Sequence, residues 1–129
     1  NNIEQTKIYT INQVNENMFE AAHQTSAKYE SNECEFEKTG LTPEFIAPKN
    51  APFVKQSHLK YLVSLKEIIP ISHNNTLFII GEITDVFCDQ NAISIDGYID
   101  IETLDTVCNS GLDSYHLTKR LARLSYAQP

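Results

Sequence analysis

Residues 59–89, LKYLVSLKEIIPISHNNTLFIIGEITDVFCD, constrain the fold more than any other stretch, because they read as two long β-strands joined by a polar turn at residues 72–75. In the first arm Leu59, Tyr61, Val63 and Leu65 alternate with Lys60, Ser64 and Lys66, the period-2 pattern of a strand with one face in the core and one in water. The second arm carries Leu77, Phe78, Ile79 and Ile80 in succession, which predicts a strand covered on both faces, central in its sheet or buried against a partner. Gly81 and Glu82 interrupt that run. The apolar positions resume at Ile83 and Val86, a spacing of three that breaks the alternation and predicts a bulge or sharp bend at Gly81.

The other strand signals are few: residues 7–12 and a short stretch near 45–47. A closed barrel takes more strands than this, so a ribbon around Ile79 needs strands from elsewhere, either an N-terminal segment or a partner chain. The opening text points the same way. Asn1 is not a Met, and NNIEQTKIYTIN begins as though inside a helix that ends near Thr6 and passes straight into a strand. At 129 residues and 41% hydrophobic composition the chain suits one domain, 1–129, with an ordinary core.

A net charge of −7 argues against a nucleic-acid surface. No run of about 18 apolar residues suggests a membrane span, and no basic-then-apolar leader can be identified. Cys34, Cys88 and Cys108 are odd in number and lack CxxC spacing, which favours reduced thiols and a cytoplasmic setting.

The segment VNENMFEAAHQTSAKYE predicts a helix with Asn15 as N-cap and Met18, Ala21, Ala22 and Thr25 along its packed face. His23 on it has no second metal-type residue at helical spacing and reads as an ordinary histidine. A small-polar-cationic-aromatic turn follows at residues 26–29, suited to an anion or a ring. Next, SNECEFEKTGLTP predicts a short acidic helix capped by Asn32, anchored by Phe36 and stopped by Gly40. The prolines at 43, 48 and 52 predict an irregular crossing with Phe45 and Phe53 turned inward. Beyond the hairpin, Asp96 and Gly97 mark a turn, and residues 100–104 read as a short helix capped by Asp100. The acids there lack the order of a calcium loop. The last segment gathers Tyr115, His116, Lys119, Arg120, Arg123 and Tyr126. It reads equally as a site for a nucleotide-like anion, where arginine forks grip phosphate and tyrosine stacks on a flat ring, or as a helix end with dipole-complementing cations.

No GxGxxG, GxxxxGK[ST], GxSxG or HExxH occurs, which removes the Rossmann, P-loop, α/β-hydrolase and zincin readings. The order INQVNENMFEAAHQTSAKY, ECEFEKTGLTP, TLFIIGEITDVF and GLDSYHLTKRLARLSYAQP resembles the flavin reductase-like family, the FMN-binding split β-barrel proteins that include flavoredoxins and reductase components of two-component monooxygenases. The resemblance is to the C-terminal portion of such a protein.

It implies a mainly β, α+β fold: a split β-barrel with peripheral helices, incomplete in this chain. It also implies a homodimer with FMN, or FAD, near the subunit interface, NAD(P)H as electron donor, and a partner oxygenase as electron acceptor in some members. The implied activity is NAD(P)H:flavin reduction or flavoredoxin-like electron transfer. The alternatives are a non-catalytic flavin-binding protein and a dimeric barrel that works through protein contacts. By position, Ser26 and Lys28 fall on the family's cofactor-side turn. Tyr115 matches an aromatic residue near the flavin, and Arg123 supports it or a pyridine-nucleotide phosphate. His73 falls near a histidine on the nicotinamide side, with Asn75 or Thr76 as the other occupants of that place. No metal and no protein nucleophile are implied. Glu82, a carboxylate among apolar strand residues, is expected at a barrel rim or hydrogen-bonded at the bend, since burial without a partner is costly.

Overall fold

The computed structural model describes residues 2–46 and 51–129. Helix α1 (Asn2–Thr6) hands directly to strand β1 (Ile8–Asn12) through Lys7, whose left-handed φ of 59° turns the chain out of the helix. Two short helices follow, α2 (Phe19–Gln24) and α3 (Glu35–Thr39), and then the short strands β2 (Pro43–Glu44) and β3 (Phe53–Val54). The expected long arms are β4 (Leu59–Ile71) and β5 (Thr76–Cys88), and the chain closes with β6 (Val107–Ser110) and β7 (Ser114–Leu117). Three antiparallel sheets result, ordered β1-β4-β5, β2-β3 and β6-β7, and among the described residues none closes into a barrel. No described helix is long and apolar enough to cross a membrane.

The hairpin is as the alternation predicts, with a four-residue turn between the paired Ile71 and Thr76, but its burial is not. β5 is an edge strand, and β4 is the central one. Leu77 and Phe78 are more than half exposed, so the covering expected for this run is absent within the described residues. The wet face predicted for β4 is also corrected at Lys60. That side chain is buried, with its ammonium 2.6 Å from the Glu44 carboxylate and 3.3 Å from the Lys55 carbonyl, because β2 and the crossing segment lie over this end of the sheet.

The predicted irregularity resolves into two bulges. Leu65 pairs with Gly81 and Glu67 with Ile80, so Lys66 is the extra residue on β4. Leu62 pairs with Asp85 and Val63 with Ile83, so Thr84 is the extra residue on β5, which accounts for the spacing of three between Ile83 and Val86. Gly81 is needed for room rather than for its dihedral freedom. A Cβ there would stand 2.3 Å from both the Tyr9 hydroxyl and a Val63 methyl. Glu82, exposed beside the bulge, pairs with Lys66 at 2.6 Å, which holds its carboxyl below the usual range.

The core occupies only the near end of the hairpin. Phe53, Leu62 and Val63 are buried, Phe53 edge-on to Phe87 at 5.3 Å, while Leu59, Ala92 and Leu104 form a cluster joined by Tyr61, Cys88 and Ile99. Phe45, expected inside, is 64% exposed. Of the short strand placed near 45–47, Ala47 lies outside the described residues, and the strand that forms is Pro43–Glu44. Gly40 stops α3 with φ 76°, as predicted, and Phe36 is half-buried.

Neither predicted asparagine cap forms. Asn32 lies outside α3, whose N-cap position is Cys34. Asn15 is instead a buried hinge. Its amide donates to the Gln56 carbonyl, its side-chain oxygen accepts from the Asn17 amide, and its backbone bridges Thr106. Both its side-chain nitrogen and oxygen are hydrogen-bonded, as burial of an amide requires. Residues 101–105 form turns rather than a helix, although Asp100 does accept from the Glu102 amide and the Thr103 hydroxyl.

Candidate functional site

Of the C-terminal cluster, Tyr115 and His116 stand on a β-hairpin and Lys119, Arg120, Arg123 and Tyr126 on the irregular segment after it, where a helix end was the competing expectation. Gly111, at φ 66°, lets the chain reverse between β6 and β7, and Asn109 then pairs with Tyr115. An N-S-G-L-D turn between short runs was the available signal for this hairpin. The Val107 amide donates to the Val14 carbonyl and the Glu16 amide to the Asp105 carbonyl, which docks the hairpin beside the end of β1.

That docking brings Tyr115 against α2. Its ring lies 5.5 Å from Phe19 and 5.7 Å, edge-on, from His23, and its hydroxyl is 3.1 Å from His23 Nδ1. A pocket of about 320 Å³ opens beside it, lined by Ile11, Asn12, Gln13, Val14, Val107, Asn109 and Tyr115. The Asn12 side chain is already committed to Thr10 and the Val54 amide. The Asn109 amide has no hydrogen-bond partner among the described residues.

Ser26 caps the turn after α2, its amide donating to the His23 carbonyl, so it sits one hydrogen bond away from the residue that touches Tyr115. Lys28 is exposed two residues on, with no ion-pair partner among the described residues. The structure brings Phe19 and His23 of α2 to Tyr115, while Ser26 and Lys28 follow on the turn at the end of the same helix. His23 has a surface setting and a hydrogen bond, as an ordinary histidine should, but its partner is the candidate tyrosine. Only the tertiary contact across 92 residues reveals this.

His73 is elsewhere. It lies in the turn at the far tip of the hairpin, and Tyr115 lies by the end of β1 that pairs with Lys60. From Lys60 to Ile71 an extended strand covers roughly 35 Å at ~3.3 Å per residue, so His73 and Tyr115 do not meet within one chain.

Arg123 is also separate. One guanidinium nitrogen is 2.6 Å from the Asp96 carboxylate, and its plane stands 4.0 Å from the centre of the Tyr98 ring. Arg120 approaches the same ring at 5.8 Å, and its backbone amide donates to Glu102. The Arg123 guanidinium and the Tyr98 amide hold the Asp96 carboxyl below the usual aspartate range, and Tyr98 raises Arg120 above its ordinary value.

A second pocket, about 460 Å³, lies at the near end of the hairpin beneath Glu44, His58, Lys60, Cys88, Asp89 and Asp105. His58 Nδ1 is 3.0 Å from the Leu104 carbonyl, and burial, with Asp89 beside it, pushes the Cys88 thiol up. That shift disfavours the thiolate, the form in which a cysteine is nucleophilic. Among the described residues no three His, Cys, Asp or Glu side chains gather as a metal site.

The chain is similar in structure to a protein of Shewanella frigidimarina NCIMB 400 described as a candidate flavin reductase with a split barrel domain. The two share 56% identity and a TM-score of 0.94 over 98% of this chain and 64% of that one. Flavoredoxin of Desulfovibrio vulgaris (Miyazaki F) is 26% identical, with a TM-score of 0.79 over 96% of this chain and 66% of that one. An uncharacterized protein of Aquifex aeolicus (strain VF5) is 29% identical over 93 residues, 70% of this chain and 47% of that protein. The chain thus spans between about half and two thirds of the length of each. The first of these is described with a split barrel, the architecture to which the open sheets of this chain correspond as an incomplete barrel. With residues 1–99 matching the sequence profile of the flavin reductase like domain, the chain belongs to that family.

Proposed function

We propose that this chain is part of a flavin-dependent oxidoreductase of the reductase type, in which FMN passes electrons from NAD(P)H to an acceptor. The observation that carries the reading is the 56% identity, at a TM-score of 0.94, with a protein described as a candidate flavin reductase. The hydride-accepting chemistry belongs to the flavin when it is bound, and the protein supplies placement and electrostatics.

The residues beside Tyr115 fit such a group by their chemistry. The Tyr115 ring, braced on one side by Phe19 and His23, forms part of a pocket wall with Ile11, Val14 and Val107, a surface suited to a flat heteroaromatic. The Asn109 amide supplies a donor and an acceptor at the rim. Lys28 offers an uncommitted cation and Ser26 a hydroxyl for a phosphate or an anionic ring. His73 lies too far along the hairpin to join them, and would reach a flavin only on a second copy. The homodimer is therefore part of this reading.

The test is the absorption spectrum of the purified full-length protein. A yellow protein bleached anaerobically by NADH or NADPH supports the proposal, and a colourless one that ignores added FMN and both nucleotides removes it. Tyr115→Leu and Lys28→Ala should each weaken flavin retention, by about tenfold for loss of one stacking or charged contact.

A second reading rests on the likeness to a flavoredoxin at 26% identity: a flavin electron carrier that does not turn over pyridine nucleotide. Flavin absorbance reduced by dithionite but by neither nucleotide would select it.

A further inference from the structure

Beyond β7 the chain runs from residue 118 to 129 with no regular structure, and its apolar side chains do nothing to hold it down. Leu121, Leu124 and Tyr126 are 98%, 89% and 91% exposed. What fixes its course is polar and confined to two residues. The Arg123 guanidinium meets Asp96 at 2.6 Å and the Tyr98 ring at 4.0 Å. The Arg120 backbone amide donates to the Glu102 carboxylate while its guanidinium approaches the same ring.

The receiving loop is itself rigidly made. The Asp96 carboxylate accepts from the Tyr98 amide, Gly97 turns at φ 83°, and Ile93 bridges Ile99 across the turn, so Asp96 and Tyr98 present a fixed carboxylate and ring. We propose that residues 118–129 form a strap fastened across the loop of residues 93–102 by this latch, with Asp96, Tyr98 and Glu102 as the catch and Arg120 and Arg123 as the tongue. The strap opens and closes as a unit.

Two consequences follow. Arg123 is a fastening residue and not a cofactor ligand in this arrangement, since Asp96 and the Tyr98 ring hold its guanidinium at the 93–102 loop and it does not line the pocket beside Tyr115. Asp96 and Tyr98, which touch no pocket beside Tyr115, act as positioning residues for the terminal segment. An exposed ion pair alone would hold a strap weakly, but a cation over a tyrosine ring and a charge-assisted backbone contact act on the same dozen residues. The Lys119–Arg120 peptide bond lies inside the latch, and its amide hydrogen is the one given to Glu102, so a protease can reach it only when the strap is open.

Limited trypsin digestion of the full chain tests this, with cleavage after Lys119 followed by mass spectrometry. Neither Asp96→Asn nor Tyr98→Leu removes a tryptic site. Each should raise the rate of that cut by about two- to fivefold, the factor that losing an exposed ion pair or a cation–π contact corresponds to. Cleavage after the buried Lys60 should stay unchanged, which separates strap opening from general unfolding. Asp96→Glu, which keeps the charge, should restore most of the protection. If Asp96→Asn and Tyr98→Leu both leave the Lys119 cut at the parent rate, or accelerate it only in step with the Lys60 cut, the strap is not latched. Flavin retention in Arg123→Gln provides the second arm. Unchanged retention with a faster Lys119 cut in that variant supports the latch, whereas lost retention with an unchanged cut would return Arg123 to the cofactor.

Discussion

The two ends of the β4–β5 hairpin are made of the same kind of residue and meet opposite fates. On β4, Leu59, Leu62 and Val63 at the near end are between 2% and 3% exposed, whereas Ile69 and Ile71 at the far end are 40% and 36% exposed, and the edge strand β5 is open along most of its length, with Phe78 at 57% and Val86 at 47%. Strand pairing does not explain the difference, because the register between β4 and β5 continues to Ile71 and Thr76. What differs is the company. β1 pairs with β4 only from Lys60 to Ser64, and Phe53, Ala92 and Leu104 pack only over that end. A strand's own sequence sets its hydrophobicity, whereas its burial depends on what lies across it.

The sharpest way to break this comparison is to remove the side chain that anchors each end. Phe53→Ala should destabilise the protein by about 3–5 kcal/mol, as for a large aromatic in a packed core, measured by urea unfolding. Phe78→Ala should cost less than ~0.5 kcal/mol at its exposed position. If the two losses come out alike, something in solution covers the far end. A loss at Phe78 that grows with protein concentration would identify a second copy as the cover.

Gly81 stands at the boundary between the ends. Gly81→Ala places a methyl against a Val63 side chain that cannot move and a Tyr9 hydroxyl that can, so it should cost about 2–3 kcal/mol. A neutral result would mean that the boundary is loose. Glu44→Gln should cost about 1–2 kcal/mol by leaving the buried Lys60 ammonium unpaired, less than for a fully enclosed pair because Glu44 is 38% exposed. Lys60→Met in the same background should recover most of it.

The latch gives an effect of pH. The pKa of Asp96 is depressed, so its contribution is complete at and above the ordinary aspartate range and is lost as pH falls through the lowered value. Asp100, lowered by the Thr103 hydroxyl, titrates beside it, and Glu102 and the two arginines complete the set of charges there. The Arg123 side-chain NMR signal should therefore stay constant from neutral pH down to that range and move only below it.

Much of the local structure was legible in the residues. Alternation and the polar turn located both arms, the spacing from Ile83 to Val86 announced a bulge, and Gly40 marked the end of α3. The misses were of one kind. Asn15 has the chemistry of a helix cap but satisfies its amide against Gln56 and Thr106, residues far along the chain that no local pattern names. Lys60 sits in alternation as a solvent residue and is buried because Glu44 reaches it from another sheet. Residues 107–117 read only as part of the terminal cation and aromatic cluster, and they form a hairpin whose edge is bonded by residues 14–16, with Val107 donating to the Val14 carbonyl and Glu16 to the Asp105 carbonyl.

The candidate site divides in the same way. Residue types pointed to Tyr115 as a flat-ring contact and to Ser26 and Lys28 as anion donors, because those groups are chosen by chemistry. Only the folded chain brought His23 and Phe19 to Tyr115, sent His73 to the opposite end of the sheet, and committed Arg123 to Asp96 and Tyr98. Strand periods act over a few residues, so the local pattern located β1, β4, β5 and the turn between the long arms. Burial, ion pairing and the grouping of functional side chains come from contacts between distant segments, and only the tertiary structure decided those.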